Sequence, residues 1–325
     1  MPIFEDRKAF KPYEYPDALK YVEILQASIW NHKEFNFTKD IQDFKVNLEE
    51  SEKEIVKRCL LAISQIEINV KTFWSKLYDH FPKPEFNSLG VMLAYNELVH
   101  EQSYSELLEI LGLNSDFEKV LLVPEIQGRV DYLQKYIKGS ANNAQQAYTL
   151  NIALFSSFVE NCSLFSQFFI MKSLNQHKNY FKGVDNVISA TMLEEDIHAK
   201  VGAWLIGLIK EEYPEWFDED FNKKIIRACK KAYKAELSIV EWITSGEDMD
   251  ILKRTTIDHF LRNRFNQSLE MIGIEPIFEV DEEEMKKFKW FELELKLDRH
   301  TDFFSQRPTT YSRDLESVTE DDLFD

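Results

Sequence analysis

The chain is poor in the residues that build turns. It has 9 glycines and 9 prolines among 325 residues, too few for the many tight reversals of an all-β architecture. Cysteine is scarce as well. Cys59, Cys162 and Cys229 are odd in number and far apart, with no C-x-x-C pair. The expectation is reduced thiols in a cytoplasm rather than a disulfide framework. Positive charge is also short: 39 lysines and arginines face 57 aspartates and glutamates, a net charge of −18. Such a field repels phosphate backbones and anionic lipid, so neither nucleic acid nor a membrane surface is an expected partner. The first residues, MPIFEDRKAFKPYEYP, lack the apolar stretch of a signal peptide.

One run is long and nearly uncharged. Residues 150–171, LNIALFSSFVENCSLFSQFFIM, carry a single charge at Glu160. A carboxylate at the centre of a spanning helix costs about 2.5–3.5 kcal/mol, and no clear basic anchor flanks this run. It reads instead as a helix inside a large soluble core, which buries Glu160. A buried ionised carboxylate must be paired or bind a metal.

What the chain does have is long helical periodicity. Helical patterns are expected over residues 16–30, 48–80, 86–111, 116–138 (broken near Pro124), 142–176, 184–212, 219–244 and 250–272. Several far exceed the globular mean of about 11–12 residues. Long helices with wide apolar faces point to an all-α antiparallel bundle with further helices packed around it, over residues 1–275. Beyond Pro276 the pattern degrades. FKWFELELKL alternates as a strand or hairpin would, and the acidic end of the 276–325 segment reads as a flexible tail.

The chemistry lies on the buried faces. In NELVHEQSY, Glu97, His100 and Tyr104 share a helix face with Leu93, Leu107 and Leu108. A second Glu-x-x-His, Glu195 and His198, shares a face with Ile188, Thr191 and Gly202. Residues i and i+3 aim an oxygen and a nitrogen at one point. Either motif alone is more often a solvated acid beside a surface or helix-satisfied histidine. However, each is preceded by a lone acid within an earlier apolar helix: Glu67 in LLAISQIEINVKTFW, and Glu160. The order Glu67, Glu97-x-x-His100, Glu160, Glu195-x-x-His198 forms two halves, and antiparallel helices would bring each half level. Four carboxylates and two imidazoles suit two divalent transition metals.

With these residues in this order, the chain resembles the small (β) subunit of class I ribonucleotide reductases over nearly its whole length. That resemblance implies a ferritin-like bundle, a homodimer, a large (α) partner subunit and a dinuclear metal oxidant. It also implies roles for single residues. Tyr104 stands where the family carries a radical tyrosine. Trp30, in SIWNHKEF, matches a tryptophan on the electron-transfer route. Glu194 stands where an Asp usually bonds that tryptophan. Tyr311 matches a relay tyrosine in a tail that docks on the large subunit, here ending TEDDLFD. Lys71, one turn beyond Glu67, either puts an ammonium beside the ligands or snorkels to solvent. Glu67 where Asp is frequent, together with Lys71, favours two manganese ions; two iron ions with a Tyr104 radical are the alternative. A ferritin-like oxidase or storage protein without a partner, and a metal-free helical scaffold, are the rival readings.

Overall fold

The computed structural model describes residues 2–137 and 144–304, and among these no strand occurs. The principal helices are α1 (Asp17–Ala27), α2 (Glu50–Trp74), α3 (Pro84–Leu111), α4 (Pro124–Ile137), α5 (Ala144–Leu154), α6 (Phe165–Lys178), α7 (Lys182–Glu212), α8 (Glu219–Thr244), α9 (Arg254–Met271) and α10 (Glu282–Phe304). Between α5 and α6 the chain runs through a π-helical segment, Phe155–Ser163. No helix among the described residues is long and apolar enough to cross a membrane.

Local chemistry sets the helix ends. α3 begins on Pro84, whose fixed φ suits a first helical position, and stops at Gly112 with φ +76°, a conformation open to glycine at little cost. Asp218 caps α8 by accepting from the Phe221 N–H at 2.8 Å. α7 is capped from a distance: Asp40 accepts from Gly183 and Val184 N–H at 3.1 and 2.8 Å, and Asp43 from Phe181 N–H at 3.0 Å. These buried acids satisfy the orphan amides of the helix that carries the second Glu-x-x-His.

α2 and α3 form an antiparallel pair. They approach so closely that a Cβ at Gly90 would lie 3.0 Å from the Trp74 carbonyl oxygen. The π segment packs against α7 and α9, and α8 closes the bundle against α2 and α4. A Cβ on Gly202 of α7 would sit 2.0 Å from Ser156 Cβ, so α7 reaches the π segment only because this position lacks a side chain.

Three expectations change. The 48–80 helix ends at Trp74, followed by a short turn at Leu77–His80. The 142–176 helix is not one regular helix, because the π segment interrupts it. There the side chains of Ser163 and Cys162 hydrogen-bond to carbonyls five residues back. Two buried guanidiniums take further carbonyls: Arg264 from Asn161 and Arg129 from Ser163, each at 3.0 Å. Finally, FKWFELELKL is neither strand nor hairpin but lies in α10. The buried residues Phe288, Phe291 and Leu295 follow a helical period, while Leu293, which made the alternation, is 46% exposed. α10 packs on α7 and α9.

Candidate metal centre

Four elements deliver the six acid and imidazole side chains: α2 (Glu67), α3 (Glu97, His100), the π segment (Glu160) and α7 (Glu195, His198). All six are fully buried. They fall into two overlapping groups whose ligand atoms lie within 4.8 Å of one another: Glu67, Glu97 and His100, and Glu97, Glu160, Glu195 and His198. Glu97 stands between the imidazoles, with Oε1 2.7 Å from His198 Nδ1 and Oε2 3.4 Å from His100 Nδ1. Glu195 does the same at 3.3 Å from His100 Nδ1 and 3.8 Å from His198 Nδ1. Glu67 approaches only His100, and Glu160 only His198, each at 3.8 Å.

These close approaches are not hydrogen bonds. Both oxygens of Glu67, Glu97 and Glu195, one of Glu160, and Nδ1 of both histidines are buried without a hydrogen-bond partner. Orphaned polar atoms are costly inside a protein. So many, turned toward one another, fit a pair of divalent cations, which would neutralise the four carboxylates. The proton affinities of these groups reflect the same crowding. Burial pushes the Glu67 and Glu195 carboxyls well above the usual carboxylate range, and the neighbouring acids raise them further. At Glu97 burial pushes up, but His198 and His100 outweigh it and hold the group down to about 2. At His198 burial pushes down, but Glu97 and Glu160 lift it to about 9.

Around the six stand Tyr104, Glu194 and Trp30, three of the other residues expected from the sequence. Tyr104 is fully buried, and its hydroxyl donates to Thr191 Oγ1 at 3.3 Å. Burial, then the charge of Glu67, raises its pKa far above the ordinary phenol value. Glu194 lies behind His100: Oε2 is 2.7 Å from His100 Nε2, and Oε1 accepts from Asn96 Nδ2 at 2.5 Å. Trp30 lies against the same imidazole, ring centroids 6.1 Å apart and planes 27° apart. Its Nε1 finds no hydrogen-bond partner among the described residues. The expected Trp30–Glu194 bond is therefore absent, since both carboxylate oxygens are engaged elsewhere.

Lys71 does not join the cluster. Its ammonium pairs with Glu101 on α3 and is partly exposed. Four residues beyond Glu67 the helix has turned past a full circle, which carries Lys71 to the flank of the α2–α3 pair. Tyr311 and the acidic tip lie outside the described residues. Trp74 was not singled out from the sequence. Its indole N–H donates to Glu160 Oε1 at 2.5 Å. The available signal was its position seven residues after Glu67, two turns along the same face.

A sequence profile described as "Ribonucleotide reductase, small chain" matches residues 7–285. The chain belongs to this family. This ribonucleotide reductase small chain is 23% identical over 326 residues to the "Probable ribonucleoside-diphosphate reductase small subunit 048L" of Invertebrate iridescent virus 3, covering 96% of this chain and 86% of that one. Two solved structures share its fold. The dimanganese(II)-NrdF of Streptococcus sanguinis superposes with a TM-score of 0.74 at 17% identity, over 86% of this chain and 96% of that one. The Rnr4 homodimer of Saccharomyces cerevisiae superposes with a TM-score of 0.69 at 16% identity, over 89% and 90%. The small chain is thus the β subunit of a ribonucleoside-diphosphate reductase with a ferritin-like fold.

Proposed function

We propose that this subunit holds two transition-metal ions on Glu67, Glu97, His100, Glu160, Glu195 and His198, and supplies the oxidising equivalent that starts ribonucleotide reduction in a large subunit. When bound, the pair supplies a high-potential one-electron oxidant, lodged on the metals or on Tyr104. The protein's own residues do the rest. Glu97 and Glu195 span both half-sites, while Glu67 and Glu160 each serve one. Glu194 fixes the His100 ring by its outer nitrogen. Trp30, flat against His100, and Tyr311 on the tail relay an electron inward from a cysteine of the large subunit. The observation that carries this reading is the position of Glu97, with one oxygen turned to each imidazole in a buried cluster without hydrogen bonds.

Manganese is the metal proposed first, with iron and a Tyr104 radical as the alternative. Glu67 supports manganese; Lys71, paired with Glu101, no longer does. Metal analysis with electron paramagnetic resonance separates the two: a tyrosyl signal with stoichiometric iron would overturn manganese.

We also propose a cytoplasmic homodimer. Val91, Tyr95 and Leu98 lie at i, i+4 and i+7 on α3 and are 61%, 37% and 37% exposed, an apolar stripe suited to a second copy. The test of the whole reading is nucleotide reduction with the cognate large subunit. Deleting residues 307–325 should abolish it and leave metal content unchanged. Surviving activity would refute the tail relay.

A further inference from the structure

We propose that the cavity where α10 meets α6 and α9 is a parking site for this chain's own C-terminal tip. Leu323 and Phe324 enter it, and a large subunit must draw them out before it can hold the tail. The competition with a large subunit rests on the tail reading above; the parking site itself does not.

The cavity measures about 340 Å³, within the usual range of roughly 300–1,000 Å³ for binding pockets. Phe169, Leu252 and Trp290 give it apolar walls, and His177, Lys253 and Lys287 also line it. Those walls are held in place. The Phe169 and Trp290 rings lie 5.9 Å apart, centroid to centroid. The buried Lys172 of α6 pairs with Glu294 of α10 at 2.7 Å and with Asp185 of α7 at 2.9 Å, which pins α10 to the bundle.

The polar lining is opposite in character to the chain, whose net charge is −18. His177, Lys253 and Lys287 are all exposed. Lys287 shares its charge with Glu284 at 2.5 Å, and Glu284 also accepts from Thr256 Oγ1 at 2.7 Å. The side chains of Lys253 and His177 have no hydrogen-bond or ion-pair partner among the described residues. An apolar pocket rimmed by free donors is complementary to an apolar group flanked by acids.

The chain carries such a group. Residues 305–325, outside the described residues, end in TEDDLFD, where Leu323 and Phe324 stand between Asp322 and Asp325, with Glu320 and Asp321 just before. The tip can reach. Trp290 lies about 20 Å back along α10 from Phe304 at the helical rise, and an extended chain from Phe304 to Phe324 spans up to about 65 Å. A ligand tethered in this way meets its site at an effective concentration of the order of millimolar, so a few weak contacts suffice. Parking reduces the fraction of tails open to a large subunit and lowers the apparent affinity by that fraction.

The test uses the full chain with Asp325→Cys, labelled with a bimane fluorophore that tryptophan quenches on contact. Cys59, Cys162 and Cys229 are buried, so the label goes to position 325. The expected result is emission quenched several-fold, to the same degree at every protein concentration. Trp290→Phe should restore it, and so should Lys253→Glu with Lys287→Glu, a pair of surface changes that leaves helical content intact. Bright emission in the parent chain would leave the cavity to some other occupant and overturn the proposal. Quenching that survives either set of substitutions, or that grows with concentration and so places the tip in another molecule, would overturn it too. Adding the cognate large subunit should restore emission, and quenching that persists in the complex would refute the competition. A large subunit that binds neither the parent chain nor the lysine variant fails at the tail reading itself.

Discussion

Glu194 Oε2 lies 2.7 Å from His100 Nε2, on the edge of the imidazole that faces away from the carboxylate cluster. The contact fixes the ring so that Nδ1 turns to Glu97 and Glu195. Such outer contacts typically govern metal affinity by about 10–100-fold. Glu194→Ala should therefore weaken metal binding by about that factor at the His100 half-site and leave the His198 half-site near its original affinity. Metal titration followed by electron paramagnetic resonance resolves the two. Equal loss at both halves would deny Glu194 this local role.

Loading the centre should release protons. In the bare cluster Glu67 and Glu195 are pushed well up, and His198 is raised to about 9. His198 therefore holds a proton at neutral pH, and burial with the neighbouring acids shifts Glu67 and Glu195 toward their protonated forms. Metal needs bare carboxylates and neutral imidazoles, so affinity should rise with pH up to about 9 and fall toward acid. Calorimetry in two buffers of different ionisation heat measures the release. Affinity that is independent of pH between about 6 and 8 would contradict the protonated starting state.

The approach of α7 to the π segment yields a stability prediction. Gly202→Ala places a methyl 2.0 Å from Ser156 Cβ, and overpacking of this kind costs about 1–3 kcal/mol. Urea denaturation should show that loss, and Ser156→Gly in the same chain should recover much of it. If the double substitution were no better than the single one, the crowding would lie elsewhere.

The exposed stripe on α3 predicts a change in assembly. Leu98→Glu together with Tyr95→Glu puts charge into an apolar contact and should convert a dimer to a monomer in sedimentation analysis, with helical content unchanged. Dimers of undiminished stability would move the interface to another face.

Much of this centre was legible because helical periodicity is a strong signal. Glu67, Glu97, His100, Glu160, Glu195 and His198 could be placed on buried faces from spacing alone, and the structure brings all six together. The π segment was not legible. Its Ser163 and Asn161 carbonyls are taken by Arg129 and Arg264, partners whose positions depend on tertiary packing rather than local pattern. The direction of Lys71 stayed open because i+4 spacing does not say which flank of a helix faces a neighbour, and Glu101 decides it. The strand-like reading near residue 290 followed an alternation in which Leu293 is exposed, while the true period ran through Phe288, Phe291 and Leu295. Trp74 was passed over because an aromatic seven residues from a ligand is ordinarily core.

The central claim is that Glu97 and Glu195 join two metal half-sites. Anomalous scattering from crystals of the metal-loaded chain tests it most directly. The account predicts two peaks, one among Glu67, Glu97 and His100 and the other among Glu160, Glu195 and His198, with Glu97 and Glu195 reaching both. A single peak, or metal bound away from these six side chains, would contradict it.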